Sequence, residues 1–444
     1  MNLGTDEKRR YLRDPYVRFA LILAAGLILR IILSLFLTYE PDFSAWTGWG
    51  RQISSTGFGN FYERHWCDYM PGYLYVLWAL DNIHRALPSL PVDILFKLPA
   101  NLADLCISIV IFYSLKLVTG YKNAMVASVV YFFNPASLAN STFWGQVDSF
   151  HTLPILLSVY LGLKRKFILS GVFAALAFMI KPQTLVLFPL IGFLALQPVI
   201  ETGSKLRIRY LLPSIEMAAA AVITAAIVTL PFIWDEIDSA YYLITGPADL
   251  IRERFWASYG QYTSSSLNAF NFWGAFRMWE PDDTKFLGVS YRIIGTAVFG
   301  AVYLLIMGLL IRFTAAVKNK GSGDFAYYIF EAITLVLFTL FLFVTRAHER
   351  HLLPMIAFFT LITFRSWIFW YLYAIVSGVY VLNMIYSYIQ LTTKYQGIPA
   401  DYSDYFIPGM FLLYLVAYII VLLNFIVNTF KYESSSDTLR SGAR

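Results

Sequence analysis

The sequence predicts an all-α integral membrane protein. About twelve transmembrane helices are expected, with two long outer-side loops carrying amphipathic helices. Three observations lead there. Of 444 residues, 58% are hydrophobic and only 14% charged, with a mean hydropathy of +0.59; a soluble chain has too little interior to hide that much apolar surface. Apolar stretches long enough to span a bilayer recur along the whole chain. The charges between them are sorted by sign, alternating from one connection to the next.

The expected spans, in order, cover about 16–38, 94–118, 124–141, 148–163, 167–181, 184–198, 211–231, 290–313, 325–345, 352–364, 367–389 and 405–429. The shortest, at 148–163, 167–181, 184–198 and 352–364, suit half-helices buried inside a bundle. Residues 1–18 carry five Lys and Arg and lead straight into a full-length span, so no cleaved signal is expected. With the N-terminus inside, 20 of the 34 Lys and Arg fall on inner segments, nearly all of them short. That is the positive-inside pattern, and it puts both termini in the cytoplasm. Most acidic residues fall on the opposite side. The working surface is therefore expected outside, in what the short loops and lack of a retention signal suggest is a prokaryotic plasma membrane. Residues 1–430 read as one membrane domain, with outer loops 39–93 and 232–289. Residues 431–444 read as a polar tail without structure. Cys67 and Cys106 are isolated, so free thiols are expected.

Long ordered loops in a compact protein usually carry function. In the first, Asp42 sits just past the first span, followed by Trp46, Trp49 and "DYMPGY" with Asp68 and Tyr69. It reads either as an interfacial aromatic loop or as a carboxylate held at the lipid–water boundary as a general base. "WGQVDSFH" brings Trp144, Gln146, Asp148 and His151 between two spans. Asp148 is either a helix cap or a site residue. "IKPQT" puts Lys181, beside Gln183, at an outer membrane edge, where it either snorkels or binds a lipid phosphate.

The densest charge is "RAHERH", residues 346–351. On a helix, Arg346 and Arg350 share one face and His348 and His351 another, with Glu349 orienting an arginine. Five such groups exceed what anchoring needs, and arginine geometry suits phosphate. An ion-paired helix cap is the competing reading. In the second loop "SSSLNAFNFW" offers Asn268, Asn271 and Trp273, amides and an aromatic face suited to a sugar or, equally, to a surface turn. Arg30 and Asp104 are charges inside spans at similar depth, about 12–15 Å from the outer face, and are expected to pair.

These pieces, in this order, resemble the GT-C superfamily of integral-membrane glycosyltransferases. The motifs are Asp42 after the first span, "DYMPGY" at 68–73, "WGQVDS" at 144–149, "KPQ" at 181–183 and "HER" at 348–350. The chain is similar to the GPI-mannosyltransferase-like group and to dolichyl-phosphate-glucose-dependent glucosyltransferases, which have D-Y-P-P and H-E-K in corresponding places. Met70 stands where relatives have proline. The similarity covers about residues 20–355.

The resemblance implies an inverting transfer of one hexose, mannose before glucose, from a polyprenyl- or dolichyl-phosphate carrier to an external glycan or glycolipid acceptor. Asp42 would be the general base. Arg346, His348, Arg350, His351 and Lys181 would hold the donor phosphate. Asp68, Tyr69, Trp144, Gln146, Asp148, Gln183, Asn268, Asn271, Trp273 and Glu349 would line the sugar and acceptor sites. No cofactor is required by this scheme. Some relatives use a divalent metal, but the sequence has no compact ligand cluster of the usual spacing. Besides donor and acceptor, the expected partner is the bilayer and not nucleic acid. The alternatives are a twelve-helix transporter, a non-catalytic lipid or glycan assembly subunit, and a ligase moving a whole glycan from a pyrophosphate lipid.

Overall fold

A computed structural model describes residues 14–202, 208–316 and 322–441. The architecture is helical, with seven helices among the described residues long and apolar enough to cross a membrane: Pro15–Leu33, Val92–Leu115, Leu212–Glu236, Tyr291–Ala316, Gly323–Phe343, Trp367–Thr392 and Ala400–Lys431. The other five expected spans are shorter or broken. The 148–163 and 167–181 segments are helices Asp148–Leu163 and Phe167–Ile180. The 184–198 segment opens as a 3₁₀ turn, Pro182–Leu187, before Phe188–Thr202. The 352–364 segment is only Leu353–Ile362. Ten residues rise about 15 Å, half a hydrocarbon core of about 30 Å.

In chain order we label Pro15–Leu33 α1, Glu40–Thr56 α2, Pro71–Ala86 α3, Val92–Leu115 α4, Tyr121–Phe132 α5, Asp148–Leu163 α6 and Phe167–Ile180 α7. The boundary residues follow helix chemistry. Asp14 caps α1, its Oδ1 accepting from the Tyr16 amide at 2.7 Å, and Pro15 opens the helix. Pro41 and Pro71 do the same in the first turns of α2 and α3. The expected span 124–141 instead breaks after α5 into Pro135–Ser137 and a π-turn, Leu138–Trp144. Gly145 closes that turn at φ +83°, a conformation glycine adopts freely, and a Cβ there would meet the Lys97 side chain at 2.8 Å. Such π-turns often mark functional sites.

Two two-residue strand pairs depart from the all-α expectation. Ser266–Leu267 runs parallel to Ala347–His348, and Lys285–Phe286 pairs antiparallel with Val289–Ser290. The C-terminal helix, Ala400–Ser441, continues through most of the tail expected to lack structure. The basic residues expected before Asp14 lie outside the described residues. Cys67 and Cys106 are free thiols, the first buried and the second exposed.

Three charges anchor the first helix to the bundle. Arg30 and Asp104 form a fully buried ion pair at 2.8 Å. Arg30 also donates to Thr142, Ser137 and the Phe132 carbonyl, while Asp104 accepts from Tyr131 and Ser149. The buried Lys97 of α4 donates to the carbonyls of Ser34 and Leu37, free acceptors at the end of α1. Removing either member of the first pair strands a buried charge, at a cost of about 3–5 kcal/mol. Arg30→Ala and Asp104→Ala should therefore each lower thermal stability in detergent, and the double variant should recover part of the loss. Purely additive losses would contradict that coupling.

Candidate functional site

The site assembles where α2 begins, α6 begins, α7 ends and the segment 346–352 links the helix Ser322–Phe343 to the short helix Leu353–Ile362. Asp42 lies in the first turn of α2, where the helix dipole favours a carboxylate. It is half-buried. Its Oδ2 accepts from the Trp144 indole at 3.0 Å and the Gln146 amide at 2.5 Å. Both donors are buried, and the left-handed Gly145 between them turns the chain so that both reach one oxygen. Among the described residues, Oδ1 accepts from no protein donor.

Asp148 begins α6 without capping it; Val147 is the cap residue. Its carboxylate pairs instead with Lys181 at the end of α7, Oδ1 to Nζ at 2.5 Å. The other oxygen accepts from Asn140 at 3.2 Å, and the same amide donates to the Tyr380 hydroxyl at 2.9 Å. His151 bonds the Thr184 hydroxyl at 2.7 Å rather than joining Asp148. Gly72 lets the start of α3 press against α7: a Cβ there would stand 2.6 Å from the Met179 carbonyl. Asp68 is thereby brought within electrostatic reach of Lys181. Tyr69 is half-buried and its hydroxyl accepts from Trp46 at 3.1 Å. Burial raises the Asp68 carboxyl, and the nearby Asp42 charge adds to that. Gln183 is exposed on the 3₁₀ turn.

"RAHERH" is not one helix. Arg346 bends the chain at φ +67°, Ala347–His348 is a strand, and Glu349–Leu352 is a 3₁₀ turn. The four arginine and histidine groups therefore do not share two helical faces. Arg346 is committed to Asp282, with Nε to Oδ2 at 2.6 Å and a second bond at 3.2 Å, and it donates to the Tyr259 carbonyl. In this fold it is an ion-paired support. Arg350 donates to Glu349 at 3.0 Å, yet its buried Nε has no partner. Burial opposes the Arg350 charge, but Glu349, Asp42 and Asp148 outweigh it and raise its pKa. Burial likewise raises the Glu349 carboxyl against the pull of Arg350. Burial and the neighbouring cations hold His348 and His351 well below the usual histidine range, so both are neutral at pH 7. The positive charge of the site rests on Arg350 and Lys181.

The second-loop residues are engaged with the fold. Asn271 caps the short helix Phe272–Arg277 and donates to the Phe341 carbonyl. Trp273 donates to the Phe343 carbonyl at 2.6 Å and is buried. Asn268 accepts from Trp279 at 2.9 Å. Asn271 and Trp273 hold the 264–273 segment against the helix that precedes "RAHERH", and Asn268 ties it to Trp279 within the same loop. Sequence reasoning missed Asn140, Thr184, Asp282 and Lys97. Of these, Asp282 in the acidic "EPDD" run, Lys97 as a charge inside the expected span 94–118 and Asn140 as a turn residue inside an apolar run carried visible signals. No three His, Cys, Asp or Glu side chains converge as a metal site among the described residues.

The contrast between the two arginines is testable. Arg346→Ala strands the buried Asp282 carboxylate, so thermal stability should drop by about 3–5 kcal/mol. Affinity for the polyprenyl-phosphate donor that the resemblance implies should stay unchanged per folded molecule. Loss of donor affinity at full stability would instead return Arg346 to the binding site.

No protein-family model matches the chain, and no curated protein proved similar to it. Fold and site alone therefore define its class: a helical membrane protein with a half-buried, charged polar cluster at one end of its bundle.

Proposed function

We propose that the protein is an inverting glycosyltransferase that moves one hexose from a polyprenyl-phosphate carrier to a glycan or glycolipid acceptor on the outer face of the membrane. The observation that carries this reading is the Asp42 carboxylate. One oxygen is pinned by Trp144 and Gln146, the other has no protein donor among the described residues, and the carboxylate lies close enough to Arg350 to raise the arginine's pKa. A general base needs a fixed orientation and a free lone pair. A departing lipid phosphate needs a cation with unused donors, and Arg350 has one.

In this scheme Asp42 Oδ1 takes the proton of an acceptor hydroxyl. The acceptor oxygen forms a bond to the anomeric carbon from the face opposite the carrier. The anomeric carbon–oxygen bond to phosphate breaks, and its electron pair leaves on the lipid phosphate beside Arg350. Lys181, paired with Asp148, adds positive charge at the same end. Hexose identity, mannose before glucose, rests on the resemblance alone.

Purified protein incubated with a panel of radiolabelled polyprenyl-phosphate sugars should release lipid phosphate and label an acceptor. Transport into proteoliposomes without any sugar donor would favour a transporter instead. Sidedness is read with an impermeant thiol reagent in a background lacking Cys67 and Cys106. Asp238→Cys, exposed in the second long loop, should label in intact cells, and Lys164→Cys, exposed between α6 and α7, should not. The reverse pattern would place the site inside.

A further inference from the structure

A cleft of about 350 Å³ opens beside Asp68, between the segment 62–68 and the helix Ala240–Gly260. That volume is within the range of about 300–1,000 Å³ typical of small-molecule sites. Its walls hold donors and acceptors together: Arg64, His65, Arg254 and Gln261 on one hand, Glu63 and Asp68 on the other. Trp66 stands at it with 64% of its surface exposed, an unusual place for an indole that only packs.

Two lining groups lack what a buried polar atom normally has. His65 Nε2 and Arg254 Nε are buried with no hydrogen-bond partner among the described residues. Buried polar atoms are otherwise nearly always hydrogen-bonded. The wall is otherwise well built. The Arg254 guanidinium lies 4.5 Å over the Tyr62 ring, and the Tyr62 hydroxyl donates to the Tyr69 carbonyl at 2.8 Å. The cleft is thus tied directly to the Asp68–Tyr69 segment of the charged cluster.

We propose that this cleft binds the carbohydrate head of the acceptor. An exposed indole gives a sugar ring a flat apolar face, and mixed donors and acceptors suit neutral hydroxyls. Two carboxylates in the wall disfavour an anion. The location rests on the transferase reading: Asp68 lines the cleft and lies within electrostatic reach of Asp42, which links a sugar seated here to the base. Nothing in the sequence motifs pointed to Trp66, Arg254 or Gln261.

The test is direct binding of fluorescently labelled maltose, α-mannobiose and chitobiose to the purified full chain. At least one should bind saturably, and Trp66→Ala and Gln261→Ala should each weaken it by about tenfold. Both residues are exposed, so both variants should fold as the parent does. Dodecyl phosphate should not displace the sugar. Absence of saturable binding by all three, or binding untouched by both variants, overturns the proposal. Displacement by dodecyl phosphate overturns it too, by reassigning the cleft to the lipid phosphate. The outcome is independent of turnover: a protein that binds a disaccharide here yet transfers nothing keeps the cleft and loses the transferase reading. Transfer without disaccharide binding does the opposite.

Discussion

Asp42→Asn should lower sugar transfer by about 10²–10⁴-fold, the usual worth of general-base assistance, while donor lipid still binds. Asparagine keeps the size of the side chain and an oxygen for Trp144 and Gln146 to donate to. The orienting bonds survive, and only the ability to take a proton is lost. Glu40→Gln is the matched control. It lies in the same first turn, is exposed, and bonds only the neighbouring Ser44 hydroxyl, so transfer should be unchanged. Asp148→Asn is a different experiment. It removes the partner of Lys181 and should first show as a loss of thermal stability. If a folded Asp148→Asn protein is inactive and Asp42→Asn is not, the base is Asp148. If neither substitution matters, these carboxylates do not carry the reaction.

The second large effect is at Arg350. Arg350→Ala should weaken donor binding and slow transfer by about 10²–10³-fold, the scale of losing one donor to a developing negative charge. His348→Ala should act in the same direction but less, because a neutral imidazole contributes a hydrogen bond and no charge. Arg350→Lys should rescue only in part: lysine restores the charge but not the two-pronged geometry. Lysine also keeps a cation beside the buried Glu349, which separates a binding defect from a stranded carboxylate. Unchanged donor affinity in both alanine variants would make "RAHERH" a structural turn.

Class and membrane character were legible because composition and apolar runs report burial in lipid directly. The helices Asp148–Leu163 and Phe167–Ile180 lie where uninterrupted apolar segments bounded by polar ones place them. The break after Phe132 was hidden inside an apolar run, where only Asn134, Pro135 and Asn140 hint at a turn. The shape of "RAHERH" was not legible from its own residues. It follows from pairing with Ser266–Leu267, some eighty residues earlier, and from the partner Asp282 finds in Arg346. Spacing along a chain records faces of a helix; it does not record which loop will claim a charge first. Asn271 and Trp273 show the same limit. Their types suit a sugar, but backbone carbonyls at Phe341 and Phe343 occupy them. The motif residues Asp42, Trp144, Gln146, Asp148 and Lys181 do meet, because the start of α2, the start of α6 and the end of α7 meet.

The most direct measurement is the anomeric configuration of the product. Purified protein is given a polyprenyl-phosphate hexose of known anomer and an acceptor, and the new linkage is read by proton NMR. Displacement with Asp42 as base and the lipid phosphate as leaving group forms the opposite anomer in a single step. Retention of the donor's configuration, or no transfer from any polyprenyl-phosphate hexose tried, would contradict the account.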